Sequence, residues 1–518
     1  MKVKKISLGC VLIYLLFTAC NTSANKEPDG MLNIKYNEFH QEIDGFGGSD
    51  AWLRMPYEKE TAEKLTELLY SKTEGIGFTI LRNRIPFRER LEGDDSPGLN
   101  DGFVMRNRDG TYIYTQNADG SKTFELNWDG WDMSGTREFL GHIRDLGENG
   151  PENLVIMSTP WTPPNNRVTR WKEDITGVSE KLDYSIDWNK PDIWGRLRKD
   201  RYNDYADLLA DYVKNYESMM GWPLSILSVQ NEPNWKVDYE SAYWNGEDLR
   251  DFIKVIGQRF PMKGIKLGSG GLGIMAPEYE NYNVIFNEMI KPILDDHESE
   301  KVLTHIGLHQ YNSGYDPSLR AGTINFPEIN ESGKRFWQTE VSGSGPYMPA
   351  GKGIDNALFY ARMIHFNMIQ AQTNAFLYWW LWTNSSNDDN FPGSLVMIDF
   401  DEIITSKRLY AMGQYSRFIR PGWVRITCDT NPVRGRSVFS SAYRNPETKE
   451  IAVVFINETA TSLTVSVNIT DAEFNKLEIW KTSANENLEH SGNQKVSRNT
   501  AEVVIPPKAI VTFYGTVK

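Results

Sequence analysis

The chain has 518 residues, enough for two domains and a large core. Hydrophobic residues make up 40% and charged residues 24%, the balance of a globular protein. The formal net charge of −13 argues against nucleic acid as a partner, because a phosphate backbone demands a basic face.

At the N-terminus, Lys2, Lys4 and Lys5 precede an apolar run over residues 6–17, too short to span a bilayer. The run ends Leu16-Phe17-Thr18-Ala19-Cys20. Residues 1–20 resemble a bacterial lipoprotein signal, which implies that Cys20 carries lipid and becomes the mature N-terminus. That places the protein in the cell envelope, anchored at the outer membrane or cell surface through lipid alone. A plain secretory signal is the alternative. Polar residues 21–30 read as a tether. The other cysteines are Cys10, inside the signal, and Cys428, so no disulfide is expected within the mature chain and Cys428 reads as a buried thiol. No Cys/His cluster suggests zinc and no phosphate-binding loop is present, so neither metal nor cofactor is expected. Gly268-Ser269-Gly270-Gly271-Leu272-Gly273 lacks dinucleotide-binding spacing and reads as a strand end.

From residue 43 onward, apolar strand patterns alternate with helical ones. Strands are predicted at 43–50, 78–84, 154–159, 224–229, 265–269, 305–310, 335–340 and 375–382. Helices are predicted at 58–70, 201–219, 246–260, 282–294 and 355–370. This alternation predicts an α/β fold, a (β/α)8 TIM barrel over 45–420. Residues 85–153 read as an inserted loop or hairpin over the cleft, turning at Asn117-Ala118-Asp119-Gly120, or as decoration without function. After Pro421 the segments become short, β-branched and separated by turns, which predicts a β-sandwich over 421–518. A strand over 31–44 is expected to join it, since it precedes the barrel without a helical partner.

Two strand ends carry chemistry. Residues 224–229 run apolar and then meet Gln230-Asn231-Glu232-Pro233, where proline forbids further pairing. Residues 334–340 do the same and present Glu340, with Gly343 and Gly345 following. Carboxylates at the C-terminal mouths of two barrel strands are what glycosidic cleavage requires: one protonates the leaving oxygen, the other meets the oxocarbenium ion. An ordinary turn at Glu232, or a structural ion pair between Glu340 and an arginine, stands as the plainer reading. The 16 Trp and 24 Tyr suit a surface that stacks on sugars, although most must be core.

These residues resemble glycoside hydrolase family 30 over nearly everything after residue 31, in detail its bacterial xylanase branch. The resemblance rests on Asp44-Gly45-Phe46-Gly47-Gly48, Ser158-Thr159-Pro160-Trp161-Thr162-Pro163-Pro164, Ser228-Val229-Gln230-Asn231-Glu232-Pro233, Trp337-Gln338-Thr339-Glu340-Val341 and Tyr378-Trp379-Trp380. Ser406-Lys407-Arg408-Leu409-Tyr410 and Arg417-Phe418-Ile419-Arg420-Pro421-Gly422 are its most specific stretches. It implies a side sandwich built from both chain ends and a retaining mechanism. Position by position, it implies Glu232 as acid/base and Glu340 as nucleophile. Asn231 would bond a sugar 2-hydroxyl and Arg82 would keep Glu340 ionised. Trp161 and Trp379 would floor the cleft, and Tyr311 would contact the nucleophile. His309 alone reads as a structural histidine. Family xylanases that need glucuronate carry arginines after the eighth-strand aromatics, where this chain reads Leu381-Trp382-Thr383-Asn384-Ser385-Ser386-Asn387-Asp388-Asp389. The substrate expected is therefore xylan without strict need for glucuronate, with β-1,6-galactan or β-1,6-glucan as alternative. Arg106 or Arg108 could still supply the missing cation. A monomer is expected. The competing classes are a non-catalytic glycan-binding lipoprotein and an exo-acting glycosidase.

Overall fold

The computed structural model describes residues 27–86, 89–91, 103–107, 112–164, 196–235, 241–282, 286–311, 324–343, 351–384, 393–474, 476–497 and 499–517. Among them, eight parallel strands form a barrel: Gly45–Ser49, Ile80–Ile85, Val155–Pro160, Ile226–Ser228, Gly273–Met275, His305–His309, Arg335–Glu340 and Ala375–Asn384. The eighth pairs with both the seventh and the first, which closes the ring. Helices on the outside and packed side chains within bury both faces of the strands, so they are nearly continuous apolar runs. Ile80, Met157, Ile226, Met275, Trp337 and Leu377 fill the interior as a cluster of their own.

The first strand shows why its sequence is Gly-Phe-Gly-Gly-Ser. A Cβ on Gly47 would lie 2.0 Å from the Ile80 carbonyl oxygen. Only glycine admits the second strand this closely. Around the ring, Tyr202–Met220 ends on Gly221 at φ 79, the left-handed cap glycine favours. The Asn245 side chain accepts the Asp248 N–H at 2.8 Å and so starts the helix Gly246–Met262.

The structure departs from three expectations. The fifth strand is not at 265–269 but at Gly273–Met275. Residues 268–272 fold into a turn instead, with Gly268 N–H bonded to the Leu272 carbonyl and Leu272 N–H to that of Lys266, each at 2.9 Å. The half-buried alternation of Ile265 and Leu267 carried the stronger strand signal, whereas the true strand is three residues long and opens on glycine. The second correction concerns the stretch after strand two. Its hairpin, Tyr114–Gln116 with Lys122–Phe124, turns where expected but does not cover the cleft. It packs on the outside, where Asp207 and Asp211 of helix Tyr202–Met220 accept the Lys122 and Phe124 N–H groups at 2.8 Å each. The same stretch holds a helix that was not anticipated, Trp131–Asp145, burying Met133, Thr136, Phe139, Leu140 and Ile143. The helix expected over 282–294 is, in its described part, a wide turn at Phe286–Ile290 followed by Lys291–Leu294.

The second layer is a β-sandwich. Gly30–Glu42 runs antiparallel to Val424–Cys428 and parallel to Leu463–Thr470, so the N-terminal strand is built into the C-terminal sheet. Leu32, Ile34, Val453, Phe455, Val465 and Phe513 belong to its core. The helix Lys407–Ser416 joins the two bodies: Gln414 donates to Thr482 Oγ1 at 2.9 Å and accepts from Thr512 Oγ1 at 2.6 Å. Arg362 also donates to both carboxylate oxygens of Glu458 at 2.8 Å. Burial raises the Cys428 thiol to about 12, which keeps it protonated and unreactive.

Gly47→Ala forces overpacking against strand two and should cost about 1–3 kcal/mol, read as a lower thermal midpoint. Gly141→Ala, in a helix with nothing nearer than 3.9 Å to the new methyl, should instead gain up to about 1 kcal/mol.

Candidate active site

The strands deliver their polar residues to one mouth. Arg82 rises from within the second strand, fully buried. After the fourth strand the chain turns so that Glu232 sits at φ 43, with its N–H bonded to the Glu278 carbonyl at 3.0 Å. Glu278 follows the fifth strand at φ 51, and Trp52, after the first, has φ 58. Left-handed backbone on bulky residues costs roughly 1–3 kcal/mol each and persists where the surroundings over-determine it. Three such residues around one mouth mark it as a place where geometry outweighs local stability.

One guanidinium organises the contacts. Arg82 Nη1 donates to Glu340 Oε2 at 2.7 Å, Nη2 to Asn231 Oδ1 at 2.7 Å, and Nε to Glu278 Oε1 at 3.1 Å. Tyr311 donates its hydroxyl to the other oxygen of Glu340, Oε1, at 2.6 Å. Ser228 donates to Glu278 Oε2 at 2.6 Å. His309 Nδ1 lies 3.0 Å from Glu232 Oε1, and its Nε2 faces Glu278 and Glu340 at 3.6 and 3.7 Å. A carboxylate oxygen of Glu232, one of Glu340 and a ring nitrogen of His309 lie within 4.8 Å of one another. The structure thus brings together Arg82, Asn231, Glu232, Tyr311 and Glu340 as the sequence expected.

The charges settle against burial in different ways. Burial pushes the Glu340 carboxyl up, and the nearby Glu232 adds to this, while His309 and Arg82 pull it down. The expected influence of Arg82 on Glu340 is present but is outweighed by the burial of the carboxyl. Burial would also raise Glu278, yet Arg82, His309 and the Ser228 hydroxyl overcome it and bring the carboxyl to about 2. For His309, burial favours the neutral ring, but Glu340, Glu232 and Glu278 together raise it to about 10. His309 is therefore an imidazolium at neutral pH and not merely structural, because both ring nitrogens face carboxylates. An imidazolium has no lone pair to offer, so this Glu–His–Glu group is poorly suited to a metal.

Above the cluster lies a cavity of about 630 Å³, lined by Trp52, Trp161, Glu232, Trp235, Glu280, Asn281, Tyr311, Glu340, Trp379 and Trp380. Trp161 packs against Trp52 and Trp379, with ring centroids 5.1 and 5.6 Å away. The Arg82 guanidinium lies under both, 4.9 Å from the Trp161 ring and 5.6 Å from Trp379. Both expected tryptophans thus form the floor. Trp52, Trp235, Glu278 and Glu280 were not anticipated. A signal for Glu278 exists in hindsight: Leu272–Ala276 is an apolar run stopped by Pro277-Glu278, the same kind of stop as at Glu232-Pro233. Cys20, Arg108 and Asn387, Asp388 and Asp389 lie outside the described residues, as does the side chain of Arg106. Asn384 ends the eighth strand and donates to the Arg54 carbonyl at 3.4 Å.

Comparison with known proteins fits this site. Residues 422–513 match the family model described as the glycosyl hydrolase family 30 beta sandwich domain. Glucuronoxylanase XynC of Bacillus subtilis is 26% identical over 361 residues, 69% of this chain and 73% of that protein. A family 30 endoxylanase from Clostridium papyrosolvens C71 shares the fold, with a TM-score of 0.67, 23% identity and 94% of this chain covered against 100% of that one. The endo-beta1,6-glucanase BT3312 shares it with a TM-score of 0.63, 18% identity and 94% of each chain covered. The sandwich is thus similar to a domain of that family, and the chain shares its fold with these enzymes.

His309 gives the site a measurable charge signature. Its folded value lies above the roughly 6.5 of an unfolded histidine, so its contribution to stability is full below that pH and is lost as pH climbs through about 10. In ¹⁵N-histidine spectra, His309 should titrate near pH 10, while His305 and His365, lowered by burial to about 3, stay neutral above pH 5. Glu278→Gln removes one of the charges that hold the imidazolium and should lower the His309 midpoint.

Proposed function

We propose that this protein is a retaining endo-β-glycosidase acting on a neutral β-linked polysaccharide, xylan without strict need for glucuronate first among them. The observation that carries the mechanism is that one carboxylate oxygen of Glu232 and one of Glu340 lie within 4.8 Å of each other. Retaining enzymes hold their carboxyl groups roughly 5–5.5 Å apart, whereas inverting ones leave roughly 6.5–9.5 Å for a water.

The contacts divide the labour. Glu340 has one oxygen held by Arg82 and the other by Tyr311, which fixes its plane for attack on the anomeric carbon. Glu232 protonates the leaving oxygen as the glycosyl–Glu340 ester forms. It then takes a proton from the water that opens the ester and returns the nucleophile. His309 bonds Oε1 of Glu232 and thereby leaves Oε2 to carry the transferred proton. Asn231 Oδ1 accepts from Arg82, so its amide N–H₂ is the end available to a sugar 2-hydroxyl. The tryptophan floor supplies apolar faces for sugar rings.

Neutral sugars suit the cavity wall. Glu280, held by Asn234 and Asn281, adds a third carboxyl to the lining. A uronate beside it would meet repulsion rather than the charge-assisted contact an arginine provides. The shared fold with an endo-beta1,6-glucanase favours β-1,6-glucan as the second reading. For location, we propose an envelope lipoprotein anchored through Cys20.

The first product released from a β-linked substrate should be the β-anomer, read by ¹H NMR; an α-anomer would sink the mechanism. Glu340→Gln should abolish turnover. Glu232→Gln should lose about 10²–10⁴-fold on polysaccharide but far less on a dinitrophenyl glycoside, which needs little protonation. Activity on glucuronoxylan should survive enzymatic removal of the glucuronate. Cys20→Ala should release the protein from the membrane fraction of its host.

A further inference from the structure

Beside the catalytic cavity lies a second cleft of about 520 Å³, lined by residues 54–58, Asn384 and residues 398–401. Two aromatic rings stand in it almost bare, Tyr57 at 95% exposure and Phe400 at 89%. They are the two most exposed large apolar side chains among the described residues. Phe400 is also in an unfavourable place. It occupies the tight turn between the paired Asp399 and Glu402, at φ 54. Glycine or asparagine suits that backbone, and a bulky residue does not. Its ring recovers nothing from burial. Neither the turn nor the packing accounts for a phenylalanine there.

The walls are held. Thr61 donates to the Asp401 carbonyl at 3.4 Å, which ties the hairpin tip to helix Lys59–Tyr70. Across the cleft, the Arg54 carbonyl accepts from Trp382 Nε1 at 2.9 Å and from Asn384. The Arg54 guanidinium lies 4.6 Å from the centroid of the Trp131 ring. Glu58, Asp399 and Asp401 give the cleft three carboxylates against this one cation.

The cleft also borders the catalytic one. Trp52 lines the first and Arg54 the second, and two residues of chain span at most about 7 Å. On the eighth strand, Trp380 and Asn384 line one each.

We infer that this cleft is a second binding site for a neutral polysaccharide chain, with sugar rings seated on Tyr57 and Phe400. The chemistry is specific to that class. Sugar rings offer apolar C–H faces to the aromatics and hydroxyl donors to the carboxylates. Polyanions are disfavoured by the excess negative charge. The inference rests on the glycosidase reading, since its occupant is the chain whose scissile bond lies in the neighbouring cavity.

The test uses the full chain with Glu340→Gln, run by affinity electrophoresis through gels containing xylan freed of glucuronate or β-1,6-glucan. The protein should be retarded in at least one gel. Adding Tyr57→Ala and Phe400→Ala should weaken the apparent affinity roughly tenfold. Phe400→Asn separates binding from folding: it should raise the thermal midpoint, because asparagine suits the turn, and still lower retardation. In the otherwise wild-type enzyme, the double alanine variant should raise KM on polymer and leave kcat/KM on an aryl glycoside unchanged. Equal retardation with and without the two rings overturns the inference, as does retardation in no gel or an equal loss on aryl glycoside. Failure of the wild-type enzyme to hydrolyse any glycan would instead overturn the proposed function, and it is read in a separate assay.

Discussion

Arg82 is fully buried between three strands and bonded to two carboxylates, one from the mouth of strand five and one from strand seven. Removing a charge of this kind leaves its partners uncompensated in a low-dielectric interior, the most expensive electrostatic defect a core can carry. The orientations of Asn231 and Glu340 and the seat of the tryptophan floor follow from it. Asn231 is oriented because its oxygen accepts from Arg82. Glu340 is oriented because one oxygen is taken, which leaves the other for Tyr311. The tryptophan floor sits over the same guanidinium, where ring faces meet a cation.

Three carboxylates against the Arg82 guanidinium and the His309 imidazolium leave the cluster with one excess negative charge. A single proton neutralises it, and a retaining glycosidase requires one proton at this place, on its acid/base, at the start of the cycle. Glu278 does not need to touch substrate to matter. By staying ionised it keeps His309 charged and occupies half of Arg82. The backbone at Trp52, Glu232 and Glu278 is held left-handed by this packing.

Aromatic side chains serve the two clefts differently. In the catalytic cavity, Trp161 and Trp379 are more than nine-tenths buried and packed against each other, ring centroids 5.6 Å apart. At the outer cleft, Tyr57 and Phe400 are nearly free of protein contact. A buried floor suits a subsite that must hold one ring at the reacting atoms. Bare rings on a braced frame suit a longer chain held loosely while it is cut elsewhere.

The sequence by itself determined the barrel, the joining of residues 31–43 to the late sheet, and the pair Glu232 and Glu340. These depend on local signals: apolar runs of strand length, helical periodicity between them, and a polar stop that ends in proline or glycine. Glu232 and Glu340 were legible because each stands just after such a run, whereas Arg82, Asn231, Tyr311, Trp161 and Trp379 were expected only from the resemblance to a known family. The tertiary structure alone decided the rest. Strand five is only Gly273–Met275, too short to outweigh the alternating Ile265 and Leu267, and with the strand misplaced Glu278 had no mouth to stand at. The hairpin at 114–124 was visible as a turn, but which surface it covers was set by Asp207 and Asp211 on a distant helix. His309 read as structural because nothing adjacent to it in the chain is charged. Its charge comes from carboxylates on three other strand ends, and Coulomb energy depends on distance in space, which closing the barrel alone establishes.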